Sequence, residues 1–293
     1  MALRVSFGEW EVESLPEDGG RLSSLRFLGR DLLTQKPESF HAPIKDFGLF
    51  ETRPVYGYDD CFPSADPCRY PTVDWQIPDH GELCWLKWEA RQTLDSLEFQ
   101  ARSLVLPIRF QRRMTFAESS LTWSFRVANS GLVELPFQHV MHPLMPLREI
   151  TSISLPDFSR IVEDYRKEKL SLTNPEEVEK WLLGHPAGKV SMLYLQRLST
   201  GRVTIGFSND LRISVEFPVE LFSTLGIWWD NEGYPDEEGC RRVECAFEPI
   251  PGSASRLSEA YLEGKCLRVK PGEAIAWNIR WIIEKAQRAK SVS

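Results

Sequence analysis

Hydrophobic and polar side chains alternate with a period of two over much of this 293-residue chain. Every second residue from Leu121 to Val127 is apolar, and the pattern returns from Ile275 to Ile283. Shorter runs of the same kind occupy residues 20–28, 86–92, 96–106, 107–117, 190–197, 202–208, 211–217 and 242–248. Because successive side chains of a strand point to opposite faces, each run predicts a strand buried on one face. Short runs separated by turn residues are typical of an antiparallel sandwich rather than of alternating strand–helix units.

One segment carries helix signals instead. Asn174 offers an N-cap, Pro175 fits the first helical position, and two glutamates follow in the first turn. We predict a helix that ends at Gly184, so the fold class is all-β with one or two short helices. Residues 34–82 alternate weakly and are rich in proline and aromatic side chains, which is typical of a long functional loop.

Composition limits the partners of the chain. A net charge of −7 and a pI near 5.4 disfavour nucleic acid and acidic membrane surfaces. The N-terminus alternates instead of forming an apolar signal segment, and no apolar run is long enough to span a membrane. The six cysteines form no CxxC pair, so we expect reduced thiols and a cytoplasmic location. We expect one domain over residues 1–284, followed by a polar tail over 285–293.

Three stretches carry residues suited to proton transfer. The segment LPFQHVMHPL holds His139 and His142 between apolar neighbours, and His80 lies between an aspartate and a glycine. Glu248 ends an alternating run, just before a Pro-x-Pro-Gly turn. Imidazole can give or take a proton near neutral pH, and a carboxylate can act as its partner. Each residue also has a structural interpretation: a hydrogen-bonded core histidine, a surface His–Asp pair, or a solvated strand-end glutamate.

The stretch 225–235, LGIWWDNEGYP, places aromatic rings beside polar side chains. Indole faces stack on the C–H face of a sugar, and fixed carboxylate and amide groups bind its hydroxyls. We therefore predict substrate contacts from Trp228, Trp229, Asp230 and Asn231, although a tryptophan pair filling the sandwich core is the alternative. The chain contains no phosphate-binding Gly-rich loop, no GxSxG and no HExxH.

The order of several motifs resembles the aldose 1-epimerase (galactose mutarotase-like) family. The matching pieces are GYDDCFPSA at 57–65, PDHGELCW at 78–85, VANSGLVELPFQHVMHPL at 127–144, LGIWWDNEGYP at 225–235, FEPIPGSASRL at 247–257 and PGEAIAWNIRW at 271–281. The resemblance implies a large antiparallel β-supersandwich with a sugar site on one face. It also implies His142 as general acid, Glu248 as general base and His80 as an assisting histidine. No cofactor and no metal are implied.

The chain departs from galactose mutarotases around the loop histidine, where His80-Gly81-Glu82 replaces the usual Gly-Gly pair. The arginine expected before that histidine is best matched by Arg53, and the substrate-gripping aspartate by Asp230. Asp60, within GYDDC, completes the predicted substrate-binding set.

Four functions remain open at this point. The first is interconversion of sugar anomers by a monomer or homodimer, without a cofactor. The second is the same reaction on a hexose 6-phosphate, for which the available arginines are Arg109, Arg112, Arg113 and Arg148. The third is a catalytically silent carbohydrate-binding protein on the same fold. The fourth is a metal enzyme that uses the two histidines and the glutamate as ligands.

Overall fold

The computed structural model describes residues 2–208 and 210–285. Its strands are β1 (Leu3–Phe7), β2 (Trp10–Leu15), β3 (Arg21–Phe27), β4 (Arg30–Asp31), β5 (Tyr58–Cys61), β6 (Cys68–Arg69), β7 (Gln76–Ile77), β8 (Glu89–Gln92), β9 (Ser96–Arg102), β10 (Ile108–Ala117), β11 (Ser120–Asn129), β12 (Leu135–Phe137), β13 (Val140–Pro143), β14 (Ile150–Ser154), β15 (Arg160–Glu163), β16 (Lys189–Gln196), β17 (Arg202–Phe207), β18 (Leu211–Glu216), β19 (Thr224–Asn231), β20 (Val243–Ile250), β21 (Leu267–Val269) and β22 (Ala274–Lys285). The α-helices in these residues are α1 (Pro175–Leu183) and α2 (Leu257–Leu262). Short 3₁₀ turns lie at Leu49–Thr52, Leu83–Trp85 and Leu147–Glu149.

Eight strands form the first layer of the molecule, in the order β14-β17-β18-β22-β11-β10-β9-β8. Neighbouring strands are antiparallel, and the long pair β10–β11 keeps one register from Ile108 opposite Asn129 to Ala117 opposite Ser120. The alternating residues of β11 and β22 are buried in the core, including Trp123 and Trp281. The strands predicted from alternation in this layer are confirmed.

The second layer is made from two sheets that meet at one point. Strands β1-β2-β3-β5-β13 form the first sheet, with β4 beside β3, and β15-β16-β19-β20 form the second. Met145, just after β13, exchanges two backbone hydrogen bonds with Cys245 of β20, with N···O distances of 2.7 and 3.0 Å. This contact joins the two sheets edge to edge and sets the register between β13 and β20. The predicted antiparallel supersandwich is confirmed.

Strand parity divides the second layer into a core face and an outer face. In β19, Leu225, Ile227 and Trp229 belong to the buried core that the two layers share. Gly226 and Trp228 alternate with them and therefore point to the outer face. The same alternation in β20 and β16 gives the second layer a polar and aromatic outer surface, where the site described below lies.

The helix predicted from its capping signals is confirmed as α1. The Asn174 side chain accepts a hydrogen bond from the Glu177 backbone N–H at 3.0 Å, and Gly184 follows as the C-cap. Val178 and Leu182 bury the apolar side of the helix against the first layer.

The C-terminal boundary differs slightly from expectation, because Lys285 closes β22 rather than opening the tail. The rest of the predicted tail, residues 286–293, lies outside the described residues. All six cysteines are free thiols, five of them buried, as the sequence predicted. Among the described residues, no helix is long and apolar enough to cross a membrane.

Candidate active site

A cleft of about 410 Å³ opens on the outer face of the second layer. Strands β5, β13, β16, β19 and β20 contribute its floor, and loops from residues 50–80, 164–167 and 234–256 contribute its walls. Its lining contains two histidines, six carboxyl side chains, three basic side chains and five aromatic rings. Of the residues predicted from the sequence, His80, His142, Trp228 and Glu248 line this cleft.

The central pair of the cleft is His142 with Glu248. The antiparallel contact between Met145 and Cys245 fixes the register, so the residue three before Met145 faces the residue three after Cys245. His142 and Glu248 occupy those two positions. The distance from His142 Nε2 to Glu248 Oε1 is 3.6 Å, and both side chains are almost buried. Two groups separated by 106 positions in the sequence thus form a cross-strand pair on the floor of the cleft.

His80 completes a group of three titratable side chains. Its ring centroid lies 4.8 Å from that of His142 in an edge-to-face contact, and the His80 ring stacks on Phe50 at 3.7 Å. His80 Nδ1 lies 3.1 Å from Asp79 Oδ1, which orients the imidazole. The next residue, Gly81, has a φ of +72°, and a Cβ there would lie 1.9 Å from the carbonyl oxygen of Phe62. Only glycine therefore fits the turn that presents His80.

Burial and neighbouring charges shift the pKa values of all three groups. Burial raises the pKa of Glu248 to about 8. Burial, together with the positive charges of His80 and Arg242, lowers the pKa of His142 well below its usual 6.5. Burial also acts to lower the pKa of His80, but Asp79 outweighs it and the net direction is upward. Between the lowered pKa of His142 and about pH 8, the His142–Glu248 pair therefore holds a single proton.

Three aromatic rings form one wall of the cleft. The Trp228 ring meets the Tyr234 ring edge to face at 5.5 Å, and Tyr165 packs the same way against both, at 6.1 and 5.8 Å. Tyr165 and Trp228 remain partly exposed. Such a wall offers apolar ring surface beside polar groups, which suits a sugar ring.

Arg242 is a cleft residue that the sequence analysis missed. Its Nη1 and Nη2 lie 2.7 and 3.3 Å from the two oxygens of Glu51, and its Nε lies 2.8 Å from Glu244 Oε1. The guanidinium also lies over the Tyr234 ring, 5.2 Å from its centroid. Arg242 therefore joins the ion cluster to the aromatic wall.

The prediction that Asp60 contacts substrate is wrong in this structure. Strand parity turns Asp60 toward the sandwich core, where it is fully buried and bonded to Arg112 at 2.5 Å. His139 Nε2 lies 2.9 Å from the same carboxylate, and the Tyr58 hydroxyl donates to it at 2.5 Å. His139 is therefore the structural histidine of its segment, and His142 is the histidine in the cleft.

Arg53 does not line the cleft either, because the Phe50 ring lies between its guanidinium and His80. Its guanidinium bonds to Asp18 at 2.7 Å and to the Cys84 carbonyl oxygen, and it lies behind the Phe50 ring. It thus supports the ring on which His80 stacks.

The predicted stretch of aromatic and polar residues splits between the two faces of β19. Trp229 is buried in the core, as the alternative interpretation of the pair proposed. The Asn231 side chain donates to the His185 carbonyl oxygen at 2.9 Å, away from the cleft. Asp230 is fully buried and accepts the backbone N–H groups of Gly233 and Tyr234 at 2.8 and 3.0 Å. It holds the turn that carries Tyr234 rather than lining the cleft.

No group of three or more His, Cys, Asp or Glu side chains in residues 2–208 and 210–285 is arranged to hold a metal ion. The four arginines considered for phosphate binding also lie elsewhere. Arg112 is in the core, Arg148 pairs with Glu232 on the surface, and Arg109 and Arg113 are on β10 of the other layer.

The two-layer sandwich with a cleft on its second layer is the galactose mutarotase-like fold. Slr1438 from Synechocystis sp. PCC 6803 is similar over 97% of this chain and 96% of its own, with 18% identity and a TM-score of 0.73. A candidate aldose 1-epimerase from Escherichia coli K12 has 18% identity and a TM-score of 0.72, covering 97% of this chain and 99% of its own. A galactose mutarotase related enzyme from Lactobacillus acidophilus has 14% identity and a TM-score of 0.66, covering 99% and 100%.

No protein-family model and no curated protein matches the sequence. At these identities the solved structures establish the fold, and the chemistry has to be argued from the cleft itself.

Proposed function

We propose that the protein is an isomerase of the aldose 1-epimerase type, which interconverts the α and β anomers of a sugar. The observation that carries the proposal is the cross-strand pair of His142 and Glu248, which lies on the floor of a cleft beside an aromatic wall. The names of the structural neighbours, which include an aldose 1-epimerase candidate and a galactose mutarotase related enzyme, support the same class.

Anomer exchange requires one proton donor and one proton acceptor. The acceptor removes the proton from the anomeric oxygen O1 while the donor protonates the ring oxygen O5. The C1–O5 bond then breaks, and C1 and O1 form the carbonyl group of the open chain. Rotation about C1–C2 presents the other face of C1, and reversal of both proton transfers closes the ring. Because the catalyst ends in its starting protonation state, two side chains suffice and no cofactor is consumed.

The His142–Glu248 pair holds the one proton that this reaction needs. In the free protein the single proton lies on Glu248, because its pKa is about 8 and that of His142 is lowered. Transfer of that proton to His142 on sugar binding gives Glu248 the role of base and His142 the role of acid. His80, whose pKa Asp79 raises, assists when protonated by stabilising the carboxylate form of Glu248.

The pair also determines the pH dependence of the proposed reaction. Above about pH 8 it loses its only proton and has no acid, whereas below the lowered pKa of His142 it holds two protons and has no base. We expect kcat/KM to follow a bell-shaped profile whose alkaline limb lies near pH 8.

Anomer exchange can be measured directly by NMR saturation transfer between the two anomeric protons of glucose, galactose, fucose or rhamnose. We expect wild-type protein to accelerate the transfer, and Glu248→Gln and His142→Asn each to lower kcat by about 10²–10⁴-fold, the range for losing a general acid or base. The matched control is Glu134→Gln, which removes a half-exposed carboxyl paired with Arg268 far from the cleft.

Full exchange activity in Glu248→Gln would refute the catalytic assignment. Sugar binding without any acceleration by the wild type would instead favour a silent carbohydrate-binding protein. The aromatic wall of Tyr165, Trp228 and Tyr234 supports that second candidate, because it needs neither member of the pair.

A further inference from the structure

Every basic lysine or arginine side chain that lines the cleft is already paired with a carboxylate. Among the described residues these side chains are Lys167, Arg242 and Arg256. A sugar phosphate or sugar acid is normally bound by cationic groups that are free to form paired hydrogen bonds with its oxygens. The state of each cation in the cleft therefore bears on which sugars it accepts.

Among the described residues, Arg242 is the one lysine or arginine deep in the cleft, and two carboxylates neutralise it; His80, the other basic group there, faces Asp79 at 3.1 Å. Glu51 holds both of its terminal nitrogens and Glu244 holds Nε, with distances between 2.7 and 3.3 Å. The Glu51 and Glu244 side chains are only 7% and 3% exposed, so solvent screens their charges weakly. The cluster of Glu51, Arg242 and Glu244 thus contains two carboxyl groups against one guanidinium.

The two cations at the rim are also engaged. Arg256 lies 3.5 Å from Asp66 and 3.2 Å from Glu259, and Lys167 forms an ion pair with Asp164. Asp66 and Asp164 themselves line the cleft, and Asp79 adds a further carboxylate beside His80. An incoming anion would meet these carboxylates wherever it met a cation.

We propose that the cleft selects aldoses without an anionic group, namely neutral sugars and amino sugars, and rejects sugar phosphates and sugar acids. This inference rests on the proposed function, because it names the substrate class of the same site. The physical reason is that an anionic substituent must displace an existing ion pair or lie against an unscreened carboxylate. A single like charge at about 12 Å changes affinity by about tenfold at an effective dielectric of about 20, and a closer one changes it by more.

The test compares matched sugars that all mutarotate: glucose, glucosamine, glucose 6-phosphate and glucuronate. Saturation-transfer NMR gives kcat/KM for each, and Trp fluorescence titration gives Kd independently of catalysis. We expect kcat/KM for glucose and glucosamine to exceed those for glucose 6-phosphate and glucuronate by at least about tenfold, and Kd to follow the same order.

Two variants connect the selectivity to named ion pairs. Glu51→Gln removes one of the charges that neutralise Arg242, and it should reduce the glucose to glucose 6-phosphate ratio by about tenfold. Asp66→Asn acts on Arg256 at the more exposed rim and should reduce the ratio by about two- to threefold. This second variant also provides a test if Glu51→Gln does not fold. Glu134→Gln, which removes a similar pair outside the cleft, should leave the ratio unchanged.

The outcomes separate the inference from the proposed function. Exchange of glucose 6-phosphate or glucuronate at the rate of glucose or faster would overturn the selectivity and leave the isomerase proposal standing. Preferential binding of glucose and glucosamine without exchange would support the selectivity and overturn catalysis. Neither binding nor exchange of any of the four sugars would overturn both.

Discussion

Replacing Glu248 by glutamine should stabilise the fold at neutral pH while abolishing anomer exchange. Glu248 is only 4% exposed, and burial raises its pKa from an ordinary 4.5 to about 8. The folded protein therefore binds a proton there more tightly than the unfolded chain does. Stability that is intact below pH 4.5 is lost progressively as the pH rises to about 8, because the unfolded state can release the proton freely.

The loss of stability caused by Glu248 is set by the difference between its pKa in the unfolded chain, 4.5, and its pKa in the fold, about 8. Each pH unit between the two pKa values costs about 1.4 kcal/mol, so the penalty at pH 7 is on the order of 3 kcal/mol. Glutamine cannot ionise and removes the penalty. Glu248 Oε2 lies close to Gly226, so packing the glutamine amide there can carry its own cost. Such a cost does not depend on pH. It shifts the difference in unfolding free energy between variant and wild type, but leaves the dependence of that difference on pH unchanged.

Urea unfolding of wild type and Glu248→Gln at pH 5, 6, 7 and 8 measures this slope. We expect the free energy of unfolding of the variant, relative to wild type, to rise by about 1.4 kcal/mol per pH unit. Glu134→Gln, on the surface, should keep the pH dependence of the wild type. A difference between variant and wild type that is constant from pH 5 to 8 would refute the buried, proton-holding carboxyl and with it the pH profile proposed for catalysis.

Two further predictions test which side chains face the cleft and which face the core. Trp228→Ala should weaken sugar binding by about tenfold with little loss of stability, whereas Trp229→Ala should cost about 3–5 kcal/mol of unfolding free energy, as titration and urea unfolding would show. The reverse assignment of the two effects would contradict the orientation of β19. Arg112→Met should destabilise the protein by about 3–5 kcal/mol by removing the arginine that neutralises the buried Asp60, while the exchange rate per folded molecule stays at the wild-type value. A large rise in KM with unchanged stability would place Asp60 in the cleft after all.

The alternation of apolar and polar residues allowed the fold to be predicted from the sequence. Strands with one buried face, such as β11 and β22, repeat apolar residues at every second position, so their existence and facing follow from local pattern alone. Helix α1 was predicted for a similar reason, because its N-cap, its first-turn proline and the glycine that follows it are local signals. His80, His142 and Glu248 were named from motif order as candidates for proton transfer, and all three line one cleft.

The errors occurred where local pattern carries no direction. All four residues of β5 are buried, so neither alternation nor hydropathy tells which of Asp59 and Asp60 faces the core. Arg53 was predicted from its place before His80, but the arginine that lies deep in the cleft is Arg242, whose partner Glu51 is 191 positions away. Ion pairs between residues so far apart in the sequence depend on how the sheets pack together. No short stretch of sequence encodes that packing.

The adjacency of Phe247 and Glu248, which point to opposite faces of β20, has an evolutionary consequence. Because one strand supplies the core with its odd positions and the cleft with its even ones, substitutions at even positions can alter ligand preference without eroding the interior. Inserting or deleting one residue within β20 has the opposite effect, since it would turn the Glu248 carboxyl group toward the core and the Phe247 ring toward the cleft. Lineages that share this architecture should therefore diversify their substrates by point substitution in β19 and β20, and change length only in the loops between strands.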